Sequence, residues 1–155
     1  MSTAPPRGRV LAQGRYITFL DDGGWEYVTR PRITGIVVLV AITPEREVVL
    51  VEQHRRPVAN SVIELPAGLV GDVPGQEAES LAVAAHRELV EETGFEARGL
   101  RRVGPGGGDD SEDIVVHLVS LATLDAFLEG KRAAGIAVDP KIFAGLYLVG
   151  EKRPR

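Results

Sequence analysis

The chain has 155 residues, with 18 Lys+Arg against 22 Asp+Glu, a formal net charge of −4, 44% hydrophobic residues and no cysteine. That is an ordinary globular composition, and the length suggests one domain able to bury a core without cross-links. A disulfide framework, a thiolate metal site and thiol catalysis are excluded, and the acidity argues against a strongly electrostatic nucleic-acid or membrane-surface binder. The longest unbroken apolar run, residues 36–42, is far too short to span a bilayer, and the first residues lack the apolar core of a secretory signal. The expectation is a cytoplasmic enzyme with no nucleic-acid and no membrane partner.

Taken in chain order, residues 1–6 hold two prolines and no apolar pattern and read as a flexible N-terminus. Residues 7–150 then read as a single domain, and 151–155 as a tail. Val10, Tyr16, Ile17, Phe19 and Leu20, broken at Gly14, suggest short strands, and Asp21-Asp22-Gly23-Gly24 is turn chemistry. Trp25-Glu26-Tyr27-Val28-Thr29-Arg30 alternates as a strand does. The β-branched run 33–43 predicts a buried central strand, with 48–53 as its hairpin partner across Pro44-Glu45-Arg46-Glu47. Val62-Ile63-Glu64-Leu65 predicts a further strand, ended by Pro66-Ala67-Gly68.

A helix is predicted over 76–93, where Ala78, Leu81, Ala82, Ala85 and Leu89 form one apolar stripe and Gly94 suits a left-handed cap. Residues 98–103 read as a strand, and the glycine-rich stretch 104–110 as a mobile loop. A strand over 114–121 and helices over 123–131 and 140–149 follow, Pro140 suiting a first helical turn. Strands with interspersed and terminal helices imply an α/β or α+β sandwich with a mixed sheet.

The end of the long helix carries an unfavourable charge pattern. Glu88, Glu91 and Glu92 crowd the last turn, where the helix dipole disfavours negative charge, and Glu88 and Glu92 repel across one face. A divalent cation removes that conflict, since Mg²⁺ takes carboxylate oxygens and keeps waters that a phosphate replaces. A solvated acidic helix end is the bland alternative on the charges alone.

The surrounding residues narrow the choice. Glu79, seven residues, then Arg87-Glu88-Leu89-Val90-Glu91-Glu92-Thr93-Gly94-Phe95 resembles the Nudix box, a long and specific motif. The family's box opens with a glycine six positions before its first glutamate, a position held here by Val73. The natural equivalent is Gly68, so residues 71–75 look like a lengthened loop, with the helix register untouched. The resemblance implies a Nudix-type α/β/α sandwich with a mixed β-sheet and an N-terminal antiparallel β segment. It further implies a Mg²⁺ (or Mn²⁺) site formed by Glu88, Glu92 and Glu91 with the Ala67 carbonyl. Glu79 and Arg87 would make an orienting ion pair, with Gly68 and Gly94 shaping the loops. The implied reaction is hydrolysis of a phosphoanhydride in a nucleoside diphosphate linked to another group.

Upstream, Val51-Glu52-Gln53-His54-Arg55-Arg56-Pro57 and Ile63-Glu64-Leu65-Pro66-Ala67-Gly68-Leu69 are similar to the ADP-ribose pyrophosphatase subgroup. That similarity implies Arg55 as a phosphate-binding arginine, Glu64 at the edge of the site and Leu69 beside the substrate. Trp25 would stack adenine, Glu26 accept from its amino group and Arg30 hold the linkage; a tryptophan that merely covers a sheet edge is the alternative. Dimeric members exchange N-terminal strands, so a homodimer is expected. A glutamate on the loop after the box takes the water's proton in the subgroup; Glu112 is the candidate here, with Asp113 and the box glutamates as competitors. His54, His86 and His117 read as structural. The expected substrate is ADP-ribose or another ADP-sugar; UDP- or GDP-sugars, or a non-catalytic nucleotide-sugar sensor, are the alternatives.

Overall fold

The computed structural model describes residues 8–30, 33–103 and 114–151. The expected N-terminal end, most of the C-terminal tail and the glycine-rich loop with its acidic continuation lie outside them.

The N-terminal segment forms a three-stranded antiparallel sheet, β1 (Arg9–Gln13), β2 (Thr18–Asp22) and β3 (Trp25–Thr29), in the order β1-β2-β3. Asp22 pairs with Trp25, so β2 and β3 are joined by a two-residue turn. Gly23 and Gly24 both take positive φ there, 61° and 92°, as such hairpins require. The Asp21 carboxylate accepts from the Gly24 N–H at 2.9 Å and fixes the turn. These strands pair with one another and make only slight contact with other elements.

The body comprises a two-stranded antiparallel sheet, β4 (Gly35–Val38) with β7 (Ala67–Val70), and a four-stranded sheet. The larger sheet has the order β8 (Val115–Ser120), β5 (Glu47–Arg55), β6 (Asn60–Glu64), β9 (Ala137–Val138), and is mixed because β9 runs parallel to β6. Among the described residues three α-helices pack on this framework: α1 (Leu81–Thr93), α2 (Leu124–Ala133) and α3 (Lys141–Leu148). One core lies where Val48, Leu50, Ile63 and Val119 meet Leu124 and Leu128 of α2 and Ile142 and Leu146 of α3. A second gathers Val37, Leu39 and Val70 under Ala84 and Leu89 of α1. Leu124, Leu128, Ile142 and Leu146 are completely buried, each contributing about 1.5–3 kcal/mol, which suffices to dock α2 and α3 without polar help. Among the described residues no helix is long and apolar enough to cross a membrane.

Several expectations are corrected. The run 33–43 is not the central strand: β5 is, with β6 and β8 on its two sides. The run hands over from one partner to another, the Leu39 N–H bonding Pro66 O and Ala41 O accepting from Val49. Of the expected hairpin a short end remains, the antiparallel bridge Ile42–Val48 with the Thr43 N–H bonding Glu47 O and the Val49 N–H bonding Ala41 O. Burial on both faces makes the two runs look alike, and hydropathy carries no information about pairing. Residues 98–103 form no strand. Strand β6 does end before Pro66-Ala67-Gly68, but the chain enters another sheet at once, since β7 starts at Ala67. Helix α1 begins five residues later than predicted, because the Ser80 side chain accepts from the Val83 N–H and caps it there. Its buried residues are Ala84, Glu88 and Leu89, whereas Leu81 is exposed; the stripe read from the sequence is rotated, and a glutamate faces the interior. Pro140 is the N-cap of α3 and lies just outside its first turn.

Candidate active site

Strand β7 and helix α1 together present the carboxylates. Gly68 sits in the middle of β7, and a methyl group there would stand 1.9 Å from Glu88 Cδ. Glycine is required at this position for space, since only a bare backbone lets the Glu88 carboxylate approach the strand. Glu88 is 4% exposed, and its Oε1 accepts from Arg87 Nη1 at 2.8 Å. One turn on, Glu92 Oε2 accepts from the Ala67 N–H at 3.1 Å. Burial pushes the Glu92 carboxyl up to about 7; the Ala67 N–H and Arg55 oppose this, while the negative charges of Glu88 and Glu64 add to it. Gly94 ends the helix in the left-handed conformation (φ 72°), its N–H returning to Val90 O.

Arg87 is the organising cation. Its Nη2 donates to Glu79 Oε1 at 2.9 Å and to the Leu69 carbonyl at 3.0 Å, and its Nε faces Glu79 Oε2 at 3.4 Å. Its Nη1 reaches Glu91 Oε2 at 3.1 Å as well as Glu88. Glu79 also accepts from the Gly71 N–H at 3.0 Å. The bond from Arg87 first, and that from Gly71 second to burial, hold the Glu79 carboxyl below its usual range, and the same pairing raises Arg87. Glu79 is outside the helix, yet the lengthened loop delivers it to Arg87. The loop does so by two successive turns, Gln76 N–H to Val73 O and Glu79 N–H to Gln76 O, which take up the extra residues.

On the neighbouring sheet, Arg55 Nε donates to Glu64 Oε1 at 2.8 Å, with both side chains largely buried. Leu69 is 4% exposed, so its side chain belongs to the core and its carbonyl to Arg87. Trp25 is 81% exposed on β3, with Glu26 exposed beside it and Arg30 half-buried just beyond the strand. The side chains of Trp25 and Glu26 make no hydrogen bond or ion pair among the described residues. The structure therefore gathers Glu64, Arg55, Ala67, Gly68, Glu79, Arg87, Glu88, Glu91 and Glu92, and leaves the N-terminal group on its own sheet. Glu112 and Asp113 lie outside the described residues.

The donor set suits a hard divalent cation: carboxylate oxygens of one sign, one of them with its pKa raised by burial and by its neighbours' charge, beside a backbone that comes close. Among the described residues no three acidic or histidine side chains already surround one point as a finished cage. Glu88 and Glu91 are turned towards Arg87 and Glu92 towards Ala67. Mg²⁺ is commonly held by one or two carboxylates and retained water, so a complete protein cage is not demanded.

Gln53, Asp72 and the Glu52 and Lys131 partners of the structural His117 were not assigned from the sequence. Gln53 is 2% exposed with no partner for its Oε1 among the described residues. It stands inside the segment that carries the subgroup resemblance, which is the signal available for it. Asp72, in the lengthened loop, bonds Arg87 Nη2 at 3.2 Å, and no periodic pattern marks it. His117 joins Glu52 at 2.9 Å and Lys131 at 3.3 Å, while Lys131 also bonds Glu52. This ties α2 to β5 and β8. Burial opposes ionisation of Glu52, but Lys131 and His117 hold its pKa below the usual value.

A NUDIX domain family model matches residues 33–135. The chain is 34% identical over 113 residues to a methanol dehydrogenase activator of Bacillus methanolicus, covering 70% of this chain and 55% of that protein. It is 37% identical over 103 residues to an ADP-ribose pyrophosphatase of Bacillus subtilis (strain 168), covering 63% of this chain and 50% of that one. The chain thus spans about half the length of these curated relatives. A crystal structure of an ADP compounds hydrolase superposes with a TM-score of 0.59 at 22% identity, over 92% of this chain and 89% of the other. That likeness is one of fold.

Proposed function

The chain belongs to the Nudix family, and on that premise we propose that it hydrolyses the diphosphate of a nucleoside diphosphate sugar, ADP-ribose foremost, to AMP and ribose 5-phosphate. The observation that carries this reading is the pair of carboxylates set against Ala67 and Gly68, Glu88 buried and Glu92 half-buried. Glu64 and Arg55 are near enough to act on Glu92. The similarity to an ADP-ribose pyrophosphatase supports the substrate class.

Nudix hydrolases act with divalent metal ions; Glu88, Glu91, Glu92 and the Ala67 carbonyl would hold one here, Mg²⁺ with Mn²⁺ as the substitute. When bound, the ion neutralises the diphosphate and lowers the pKa of water. The chain's own residues do the rest. Arg55 forks to phosphate oxygens, steadied through Nε by Glu64. Arg87 and Glu79 lock α1 to the start of the loop after β7, which keeps the glutamates pre-placed. Gly68 leaves the room that Glu88 occupies. Glu112 accepts the water's proton, with Asp113 as its competitor.

Adenine would stack on Trp25, with Glu26 and Arg30 reading the base and the linkage. A homodimer in which the N-terminal sheet of one subunit serves the site of the other accounts for a tryptophan 81% exposed in the single chain. That exposure also favours the second reading, turnover of UDP- or GDP-sugars without adenine selectivity.

The test is product chromatography with Mg²⁺ on ADP-ribose, ADP-glucose, UDP-glucose, GDP-mannose and a nucleoside triphosphate, beside Glu92→Gln. AMP and ribose 5-phosphate from the unaltered protein alone support the proposal. Turnover only of a non-adenine sugar moves it to the second reading, and equal turnover by Glu92→Gln removes Glu92 from the reaction.

A further inference from the structure

Arg87 is surrounded by more negative charge than it balances. Four carboxylates bond this one guanidinium: Asp72, Glu79, Glu88 and Glu91. They divide by position. Glu79, Asp72 and the Leu69 carbonyl share Nη2, on the side of the loop after β7. Glu88 and Glu91 share Nη1, on the side of the carboxylates read above as cation ligands. A cation arriving there must compete with Nη1 for both glutamates, so the grip of Arg87 opposes its binding.

Asp72 acts on that competition. It lies in the lengthened loop, two residues past the last residue of β7, and its carboxylate is 27% exposed and bonded to Nη2. The loop around it is ordered: Gly71 takes φ 83° with its N–H on Glu79, and the two turns at 73–76 and 76–79 close behind it. A negative charge on Nη2 offsets the guanidinium charge and weakens its pull on the carboxylates across the fork.

We propose that Asp72 is a positioning residue, supplied by the lengthened loop, that loosens the hold of Arg87 on Glu88 and Glu91 and so raises the affinity of the site for a divalent cation. This rests on the reading that those glutamates and Glu92 hold the cation, and the experiment separates the two.

Mn²⁺ binding to the metal-free full chain is followed by the EPR signal of free Mn²⁺, with melting recorded in EDTA. The unaltered protein should bind and Glu92→Gln should bind far less; if both bind alike, or neither binds, the parent reading fails and this one with it. Asp72→Asn should raise the Kd for Mn²⁺ by about three- to tenfold, because the guanidinium regains the charge that Asp72 offsets on Nη2 and holds Glu88 and Glu91 more tightly through Nη1. Asp72→Glu should restore it to within about twofold. An unchanged Kd in Asp72→Asn with a lowered melting temperature would mean that Asp72 only anchors the loop, and would overturn the proposal.

In an Arg87→Lys background, without the fork, Asp72→Asn should shift the Kd by less than about twofold. A full shift there would show that Asp72 acts on the ion directly and would also overturn it. Should Arg87→Lys fail to fold, the Arg87 Nε–H resonance of the metal-free protein decides. It must move in Asp72→Asn if the effect runs through Arg87, and a stationary resonance with weakened Mn²⁺ binding refutes that route.

Discussion

Replacing Glu92 by glutamine should stabilise the metal-free protein at neutral pH. In the folded chain the Glu92 carboxyl is pushed up to about 7 from 4.5, by burial and by Glu88 and Glu64, against the help of the Ala67 N–H. The folded state therefore binds the proton more tightly than the unfolded state does. The contribution of Glu92 to stability is greatest below about pH 4.5, falls as pH rises towards 7, and stays at the lower level above it. The full gap corresponds to about 3 kcal/mol at most, and partial solvation of the side chain brings the expected effect to about 1–3 kcal/mol. Glutamine keeps the acceptor for Ala67 and carries no charge, so it removes the penalty without removing the bond. In EDTA at pH 8 the variant should melt about 3–9 °C higher, a span typical for a chain of this size. The gain should vanish below about pH 4.5, and saturating Mg²⁺ should reverse the order by stabilising only the unaltered protein. Calorimetry over pH 4–8, with and without metal, checks all three. Identical melting at pH 8 in EDTA, or a difference that does not change with pH, would refute the reasoning.

Gly68→Ala places a methyl group 1.9 Å from Glu88 Cδ; turnover should fall by about a hundredfold or more as Glu88 is displaced, which steady-state kinetics would show. Glu79→Ala removes the main partner of Arg87 in a pair whose side chains are 15% and 3% exposed but leaves Asp72, Glu88 and Glu91 on the guanidinium, so the cost should be about 1–3 kcal/mol by urea denaturation. A loss under 1 kcal/mol would mean the remaining carboxylates suffice. Trp25→Ala removes a side chain that is 81% exposed, so stability should change by less than about 0.5 kcal/mol while KM for adenine substrates rises; an equal KM makes Trp25 a surface residue only.

The primary structure by itself determined the carboxylates, their spacing on α1, its end at Gly94 and the helices that close the chain. These depend on local periodicity and local backbone preference, which a short window of residues carries. The β2–β3 hairpin was legible for the same reason, because Gly23-Gly24 admits little else. Only the tertiary structure decided which apolar run became the central strand. Residues 33–43 and β5 are alike in hydropathy, and their partners are set by packing at long range. It also decided that Glu88 faces the interior, because Gly68, twenty residues earlier in the chain, makes room for it. And it decided that the lengthened loop brings Asp72 to the guanidinium that the motif's spacing already pairs with Glu79: the meeting of Asp72 with Arg87 is a property of three-dimensional proximity, and no spacing along the chain encodes it.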